Sequence, residues 1–323
     1  MSEVKGIHIV VTGAAGFVGS ALARRLSDAG RFQGRPIGLL TLIDLDFRTP
    51  APAGVRQLAG DMGDAAWLRS AFVGQTVDVF FHLASIPGGL AEQDYGLAKR
   101  VNLDATQTLL ELGQTQVERG GTAPAFVFAS SIAVFGQMPL LVTDETPTRP
   151  QMTYGVQKLI GEILVDDFSR RGWVDGRAVR IPGVLARPPA RTGQLSAFLS
   201  DIIRELAAGR TFDCPTSAEA TTWASSLPCV LEQLMHAAVF DVGSVGGHRV
   251  LTLPAQQFSM AQLVDAISIA FGVPGQQLVR YVPDKRIESL FGSFPPLETN
   301  RATSAGFVPD NSLVTLVRAA IGH

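Results

Sequence analysis

The chain has 323 residues, 46% of them hydrophobic and 17% charged, with a formal net charge of -2 at pH 7. That length and apolar content supply a sizeable core, most simply a main domain plus a smaller lobe, and the near-neutral charge excludes the basic face a nucleic-acid binder needs. The two cysteines, Cys214 and Cys229, make no Cys-x-x-Cys and the five histidines no His-x-x-x-His, so neither a zinc site nor a disulfide framework is implied and no metal is expected.

Met1-Ser2-Glu3-Val4-Lys5 lacks the apolar centre of a signal peptide, and no apolar stretch reaches the roughly 18 residues of a membrane span, so a soluble cytoplasmic protein is expected. An apolar run at 6–12 reads as a strand and 16–29 as a helix, joined by Thr12-Gly13-Ala14-Ala15-Gly16-Phe17-Val18-Gly19. Strand, glycine turn and helix form a mould for a dinucleotide pyrophosphate. A diphosphate approaches the backbone only where side chains are absent, and the N–H groups opening the helix carry a partial positive charge toward it. Taken alone, such a glycine string also describes ordinary tight connections.

Further strands are expected at 37–44, 55–59, 77–83, 125–130 and 177–181, alternating with helices at 64–71, 95–116 and 154–171. The alternation predicts a parallel sheet covered on both faces. Arg31-Phe32-Gln33-Gly34-Arg35-Pro36 reads as an enlarged helix-to-strand loop. Past Pro182 the texture changes. Pro182-Gly183 and Arg187-Pro188-Pro189 mark irregular connections, followed by helices at 195–208, 228–240, 260–271 and 312–321. The predicted domains are 1–180 and 181–323, with a segment of the second returning to the first.

Leu42-Ile43-Asp44 ends the second strand with an acid, where a carboxylate accepts hydrogen bonds from an adenosine ribose and repels a 2′-phosphate. NAD is therefore expected over NADP, against the plainer reading of Asp44 as a turn cap. Downstream, Tyr154-Gly155-Val156-Gln157-Lys158 sets a tyrosine and a lysine on one helix face, and Ser130-Ser131 closes the strand at 125–130 with two hydroxyls. A tyrosine and a lysine at this spacing are common by chance; the three motifs in this order are not.

With these motifs the chain resembles, almost end to end, the extended short-chain dehydrogenases/reductases, the NAD-dependent epimerase/dehydratase family. The resemblance implies an α/β fold, a Rossmann-type doubly wound parallel sheet, with a smaller mixed α/β C-terminal substrate lobe. It implies NAD contacts from Gly13, Ala15, Gly16, Phe17 and Val18 at the pyrophosphate and from Asp61 and Met62 at the adenine. Leu83 and Ala84 beside the fourth strand, Pro182, Tyr154 and Lys158 complete the expected cofactor contacts. Asn102 matches an asparagine that serves either the cofactor or only the structure. The position of His82 acts in that family through backbone and packing, so it is left out of the chemistry.

Tyr154, as phenolate, is expected to be the general base, Ser131 to orient the substrate oxygen, and Lys158 to hold the nicotinamide ribose and favour the phenolate. Dehydratases of the family place Asp-Glu after the catalytic hydroxyl, whereas Ile132-Ala133 follows Ser131 here. Sugar-nucleotide epimerases carry an Arg-Asp segment where this chain has Thr221-Thr222-Trp223-Ala224-Ser225-Ser226-Leu227-Pro228. A diphosphate without cationic partners is poorly held, so a small substrate is expected.

A narrower likeness, through residues 128–136, 154–158 and 167–178, is to the D-erythronate dehydrogenase branch, NAD-dependent oxidisers of four-carbon sugar acids at C2. That branch tends to Ser-Pro-Arg where Ser226-Leu227-Pro228-Cys229 stands. Ser85, Ser131, Tyr154, Thr222, Trp223 and Arg187 are the expected substrate contacts, Trp223 closing the pocket; Arg187 and Arg191 are candidate anchors for the carboxylate, against the plainer reading of solvated loop arginines. A sugar-nucleotide 4-epimerase with tightly bound NAD and a non-enzymatic dinucleotide sensor are the alternatives. The resemblance also implies a homodimer through a four-helix bundle of 95–116 and 154–171, with Leu103, Leu109, Leu110, Ile160, Ile163 and Leu164 as contacts, against the plainer reading that several of them face the sheet.

Overall fold

A computed structural model describes residues 6–187 and 195–322. The chain divides into two compact units, 1–136 with 148–180 and 234–251, and 137–147 with 181–233 and 252–323. The second unit thus includes 137–147, which the sequence reading left within the first domain. Arg191 and the Pro188-Pro189 pair lie outside the described residues.

In the first unit, parallel strands Ile7–Thr12, Arg35–Asp44, Val55–Ala59, Val79–His82 and Ala125–Ser131 build a sheet that Asp175–Ile181 and Val250–Thr252 extend. Its order is Val250–Thr252, Asp175–Ile181, Ala125–Ser131, Val79–His82, Ile7–Thr12 and Arg35–Asp44, beyond which Arg35–Asp44 pairs with Val55–Ala59 and Arg31–Phe32. This is the Rossmann-type doubly wound order, built from strands apolar on both faces because helices cover both. All six residues of Ile7–Thr12 are buried. Phe80, Phe126 and Phe128 fill one core with Leu109, Leu110 and Val165.

The 31–36 segment departs from the loop expected of it. Arg31–Phe32 pairs antiparallel with Arg35 and Pro36, turning through Gln33 and Gly34 at φ 50° and 75°. Phe32 drives this hairpin back onto the sheet, its ring edge-on to Phe81 at 6.0 Å. The expected helix 95–116 is also interrupted: Tyr95–Lys99 and Ala105–Glu118 flank a π-helical turn, Arg100–Asp104.

Two expected subunit contacts are core residues instead. Leu109 and Leu110 are fully buried within the first unit, because the helix Ala105–Glu118 turns them to the sheet. Leu103 and Leu164 are half-buried, whereas Ile160 and Ile163 face outward.

The second unit pairs Thr221–Ser226 with Gln256–Ser259 antiparallel and with Gly183–Leu185 in parallel, and Phe212–Cys214 with Val279–Tyr281 in parallel. Helices Phe198–Ala207, Met260–Phe271 and Leu313–Ile321 close its core. Ser259 and Gln262 start the Met260–Phe271 helix with a reciprocal capping box, each satisfying the other's backbone N–H. No helix among the described residues is long and apolar enough to cross a membrane.

Candidate active site

Strand Ile7–Thr12 ends where the sheet order reverses, Thr12 standing between Ile43 and His82. Doubly wound sheets receive their ligands in this crevice. Gly13 has φ +69°, and a Cβ there would stand 2.7 Å from the Ala84 nitrogen. A Cβ on Gly19 would meet the Gly13 carbonyl, so the turn packs bare backbone on bare backbone. Helix Phe17–Ala29 then starts from Gly16 with no side-chain cap and no acid in its first turn, the arrangement that receives an anion. Ala15 and Gly16 are exposed there, Phe17 and Val18 half-buried. This cradle fits a dinucleotide pyrophosphate.

Asp44 stands beside it. Its Oδ2 accepts the Ala15 N–H at 2.8 Å and its Oδ1 the Leu45 N–H at 2.7 Å, which aims the carboxylate and leaves each oxygen a further lone pair for ribose hydroxyls. Asp61 is exposed and fixed by the Gly63 N–H at 2.8 Å. The Met62 side chain belongs to the apolar core, so only its backbone is offered to an adenine.

A polar chain runs behind the cofactor crevice. Ala84 N–H donates to Thr12 Oγ1, which lies 2.7 Å from His82 Nδ1, while His82 Nε2 lies 2.8 Å from Thr106 Oγ1. Thr106 gives its proton to the Asn102 carbonyl, so His82 must donate through Nε2 and accept Thr12 through Nδ1. Full burial, reinforced by the Lys158 charge, lowers the His82 pKa to about 3 and keeps the ring neutral. Leu83, following His82, donates its N–H to the Thr12 carbonyl. Asn102, in the π-helical turn, accepts the Ile86 N–H at 2.7 Å and donates to the Ile86 carbonyl and to Gln157 Oε1. Of the two roles left open for Asn102, the amide is engaged in the structural one: it bolts the segment after Val79–His82 to the Tyr154 helix.

Ser131 ends its strand in extended backbone, its Oγ accepting the Ala133 N–H at 3.2 Å. Helix Thr153–Arg170 lies close to that turn because residue 155 is glycine: a Cβ there would stand 2.4 Å from the Ala133 carbonyl. A second close approach, Gly161 against the Phe128 ring, seats the helix on the strand. Tyr154, half-buried, and Lys158, 2% exposed, are carried on it. Lys158 Nζ lies 4.8 Å from the Phe128 ring centre and 5.5 Å from that of Tyr154. Burial lowers its pKa to about 7, with Glu162 offsetting part of the effect. Ser85 is half-buried on the segment fixed by Asn102.

The second-unit residues fare differently. Pro182 and Thr222 are buried. Trp223 is 1% exposed, its indole N–H donates to the Pro295 carbonyl at 2.7 Å, and its ring packs edge-on against Phe294. The expectation that Trp223 closes a substrate pocket is therefore corrected: it is a core side chain of its own unit with its one donor engaged. Arg187 is exposed, and its N–H donates to Ser200 Oγ at 3.0 Å. Ser226 gives its N–H and hydroxyl to Asp310, so an acid stands at the start of helix Leu227–Ala237. Burial, with Asp310 nearby, pushes the Cys229 thiol up to about 12, which makes it inert. No group of three His, Cys, Asp or Glu among the described residues is placed to hold a metal.

Thr12, Gln157 and Ser130 stand in the quoted motifs without a role of their own, and Thr106, Glu162 and Arg180 receive none in the sequence reading. Glu162 alone carried a local signal, one turn beyond Lys158 on the same helix face.

Relatives share this framework. The chain is 37% identical over 320 residues to the D-erythronate dehydrogenase of Cupriavidus necator, covering 97% of each. It is 30% identical to that of Haemophilus influenzae, covering 98% of this chain and 99% of the other. The crystal structure of the nucleoside-diphosphate-sugar epimerase from Agrobacterium tumefaciens matches with a TM-score of 0.88 at 35% identity, covering 97% of this chain and 92% of that one. Residues 9–224 match the family model itself, and the chain belongs to the NAD dependent epimerase/dehydratase family.

Proposed function

We propose that this protein oxidises a secondary hydroxyl of a small sugar acid, D-erythronate or a close congener, at C2 to the 2-keto acid. The observation that carries the reading is near-complete alignment with two D-erythronate dehydrogenases, joined to a chain that carries Ser131, Tyr154 and Lys158 on facing elements. NAD is the cofactor of the family and supplies the hydride acceptor. The glycine cradle and Asp44 would hold its pyrophosphate and adenosine ribose, and Lys158 its nicotinamide ribose. Ser131 would hydrogen-bond the substrate oxygen and turn it toward Tyr154, which removes the hydroxyl proton as the carbon gives up its hydride. A tyrosine ordinarily titrates near pH 10, so base chemistry near neutrality needs the phenolate favoured by on the order of 4 kcal/mol. The Lys158 charge, held in a dry setting, is suited to that task.

The nucleotide-sugar epimerase reading keeps a place because a relative of that name is 35% identical. Against it stand a segment Thr221–Ser226 without a cation and the Asp310 carboxylate at its end, both unfavourable to a diphosphate. Assay of four- to six-carbon aldonates and of UDP-sugars decides between them. An aldonate should reduce NAD while UDP-sugars neither react nor compete; epimer formation from a UDP-sugar without added NAD would replace the dehydrogenase reading. We further propose a cytoplasmic homodimer. Val156, Ile160 and Ile163 form an outward apolar stripe on helix Thr153–Arg170, the surface a second copy would cover.

A further inference from the structure

Beside the Ser131, Tyr154 and Lys158 set, the first unit buries an ion pair. Arg180, on strand Asp175–Ile181, gives Nε to Glu162 Oε1 at 2.9 Å and Nη2 to Oε2 at 2.8 Å, and the two side chains are 13% and 3% exposed. Ser130 Oγ adds a third donor to Oε1 at 2.5 Å, and the guanidinium lies over the Phe135 ring at 5.2 Å. A buried pair of this kind contributes little net stability, because desolvation offsets the attraction. Its position suggests a different use. Glu162 is one helical turn from Lys158, on the same face, and is the carboxylate best placed to neutralise the ammonium. With both oxygens engaged by Arg180, it leaves the Lys158 ammonium against the rings of Phe128 and Tyr154. While Lys158 is protonated, two cations and one anion leave a single positive charge in surplus.

The other neighbours do not cancel it. His82 is neutral, and Phe128 and Ser130 carry no charge. Lys99 and Asp104, on the segment before Ala105–Glu118, pair with each other. Glu92, on helix Gly88–Gln93, is exposed to water and accepts the Thr153 N–H.

We propose that Arg180 is a positioning residue for proton transfer: by engaging both oxygens of Glu162, it limits how far that carboxylate neutralises Lys158 and, while Lys158 is protonated, keeps a surplus positive charge beside Tyr154, for which the phenolate is the counter-ion. The inference rests on the reading of Tyr154 as the base. It is tested in cofactor-free protein by the ultraviolet absorbance of tyrosinate against pH, with Tyr154→Phe as the blank that removes Tyr95 and Tyr281, and in parallel by the pH profile of kcat/KM. Arg180→Met releases Glu162 to pair with Lys158, so Tyr154 ionisation and the acid limb of the profile should move up by about one pH unit or more. Glu162→Gln leaves two cations and should move both down. The double variant restores one surplus charge and should return both toward wild type, as should Arg180→Lys. Should Arg180→Met fail to fold, adding it to Glu162→Gln must still reverse the downward shift. Shifts that are absent, or that run in one direction for both single variants, overturn the proposal. An active Tyr154→Phe would instead overturn the base assignment, a separate and recognisable failure.

Discussion

The backbone N–H of Ala15 donates to Asp44 Oδ2 at 2.8 Å, so the acid expected to select the cofactor is fastened to the turn expected to receive its phosphates. Asp44→Ala removes that bond and the ribose acceptor together. NAD affinity should fall roughly 10- to 100-fold, the equivalent of about 1.5–3 kcal/mol for hydrogen bonds to a charged group. Binding of NADP should improve relative to NAD, since the like-charge clash with a 2′-phosphate is gone. Titration of both cofactors by fluorescence checks this, and a wild-type preference for NADP would contradict the role given to Asp44.

Tyr154→Phe should lower kcat by about 100-fold or more with NAD affinity nearly unchanged, because it removes a proton acceptor and little cofactor contact. Lys158→Met should weaken NAD binding and turnover together. Calorimetric binding beside steady-state kinetics separates the two, and normal NAD affinity in the lysine variant would remove Lys158 from the ribose.

Lys158 also gives the fold a pH dependence. Burial lowers its pKa from 10.5 to about 7, so between those values the unfolded chain binds the proton that the folded one has lost. Stability from this group therefore rises with pH across that window, and the cost of burying the ammonium is full below about pH 7. Without cofactor, Lys158→Met should be more stable than wild type at pH 6, by on the order of a few kcal/mol, with the difference shrinking toward pH 10. Urea denaturation at several pH values measures it; a difference independent of pH would mean that the ammonium is solvated in the folded protein.

Trp223→Ala should act on stability before catalysis. Removing a fully buried indole bonded to Pro295 leaves a cavity and an unsatisfied carbonyl, a loss of about 3–5 kcal/mol. Thermal melting should show a lower Tm, and an unchanged Tm with a raised KM would return Trp223 to the substrate pocket.

Ile163 is 62% exposed at the end of the stripe with Val156 and Ile160. Light scattering at micromolar concentration should report a dimer for the wild type and a monomer for Ile163→Glu, since a carboxylate buried there would lack a partner. A monomeric wild type would refute the assembly.

The cofactor half was legible because buried parallel strands are long apolar runs and the glycine turn interrupts them with its own signature. Ser131, Tyr154 and Lys158 were visible as motif residues. Short strands such as Gly183–Leu185 and Phe212–Cys214 were not, as three residues carry no period. The 31–36 hairpin depends on a single aromatic, Phe32, meeting Phe81 across the sheet, and nothing local announces that. The π-helical turn around Asn102 preserves apolar spacing closely enough to pass for unbroken helix. Arg180 and Glu162 lie on separate elements, so their pairing emerges only when strand and helix meet. Trp223 was read as a lid although buried aromatics usually serve the core.

The strand Val250–Thr252, which ends the large sheet, comes from the segment that returns after the second unit has begun. During synthesis, strand Asp175–Ile181 is complete long before this partner: Arg249, which bonds Asp175 and whose carbonyl receives the Ala178 N–H, follows 74 positions later. A fragment ending at residue 180 would therefore present a bare hydrophobic sheet edge, and the buried Arg177 guanidinium would lose the Phe240 carbonyl that it bonds. Such a fragment is expected to aggregate rather than yield an isolated cofactor domain.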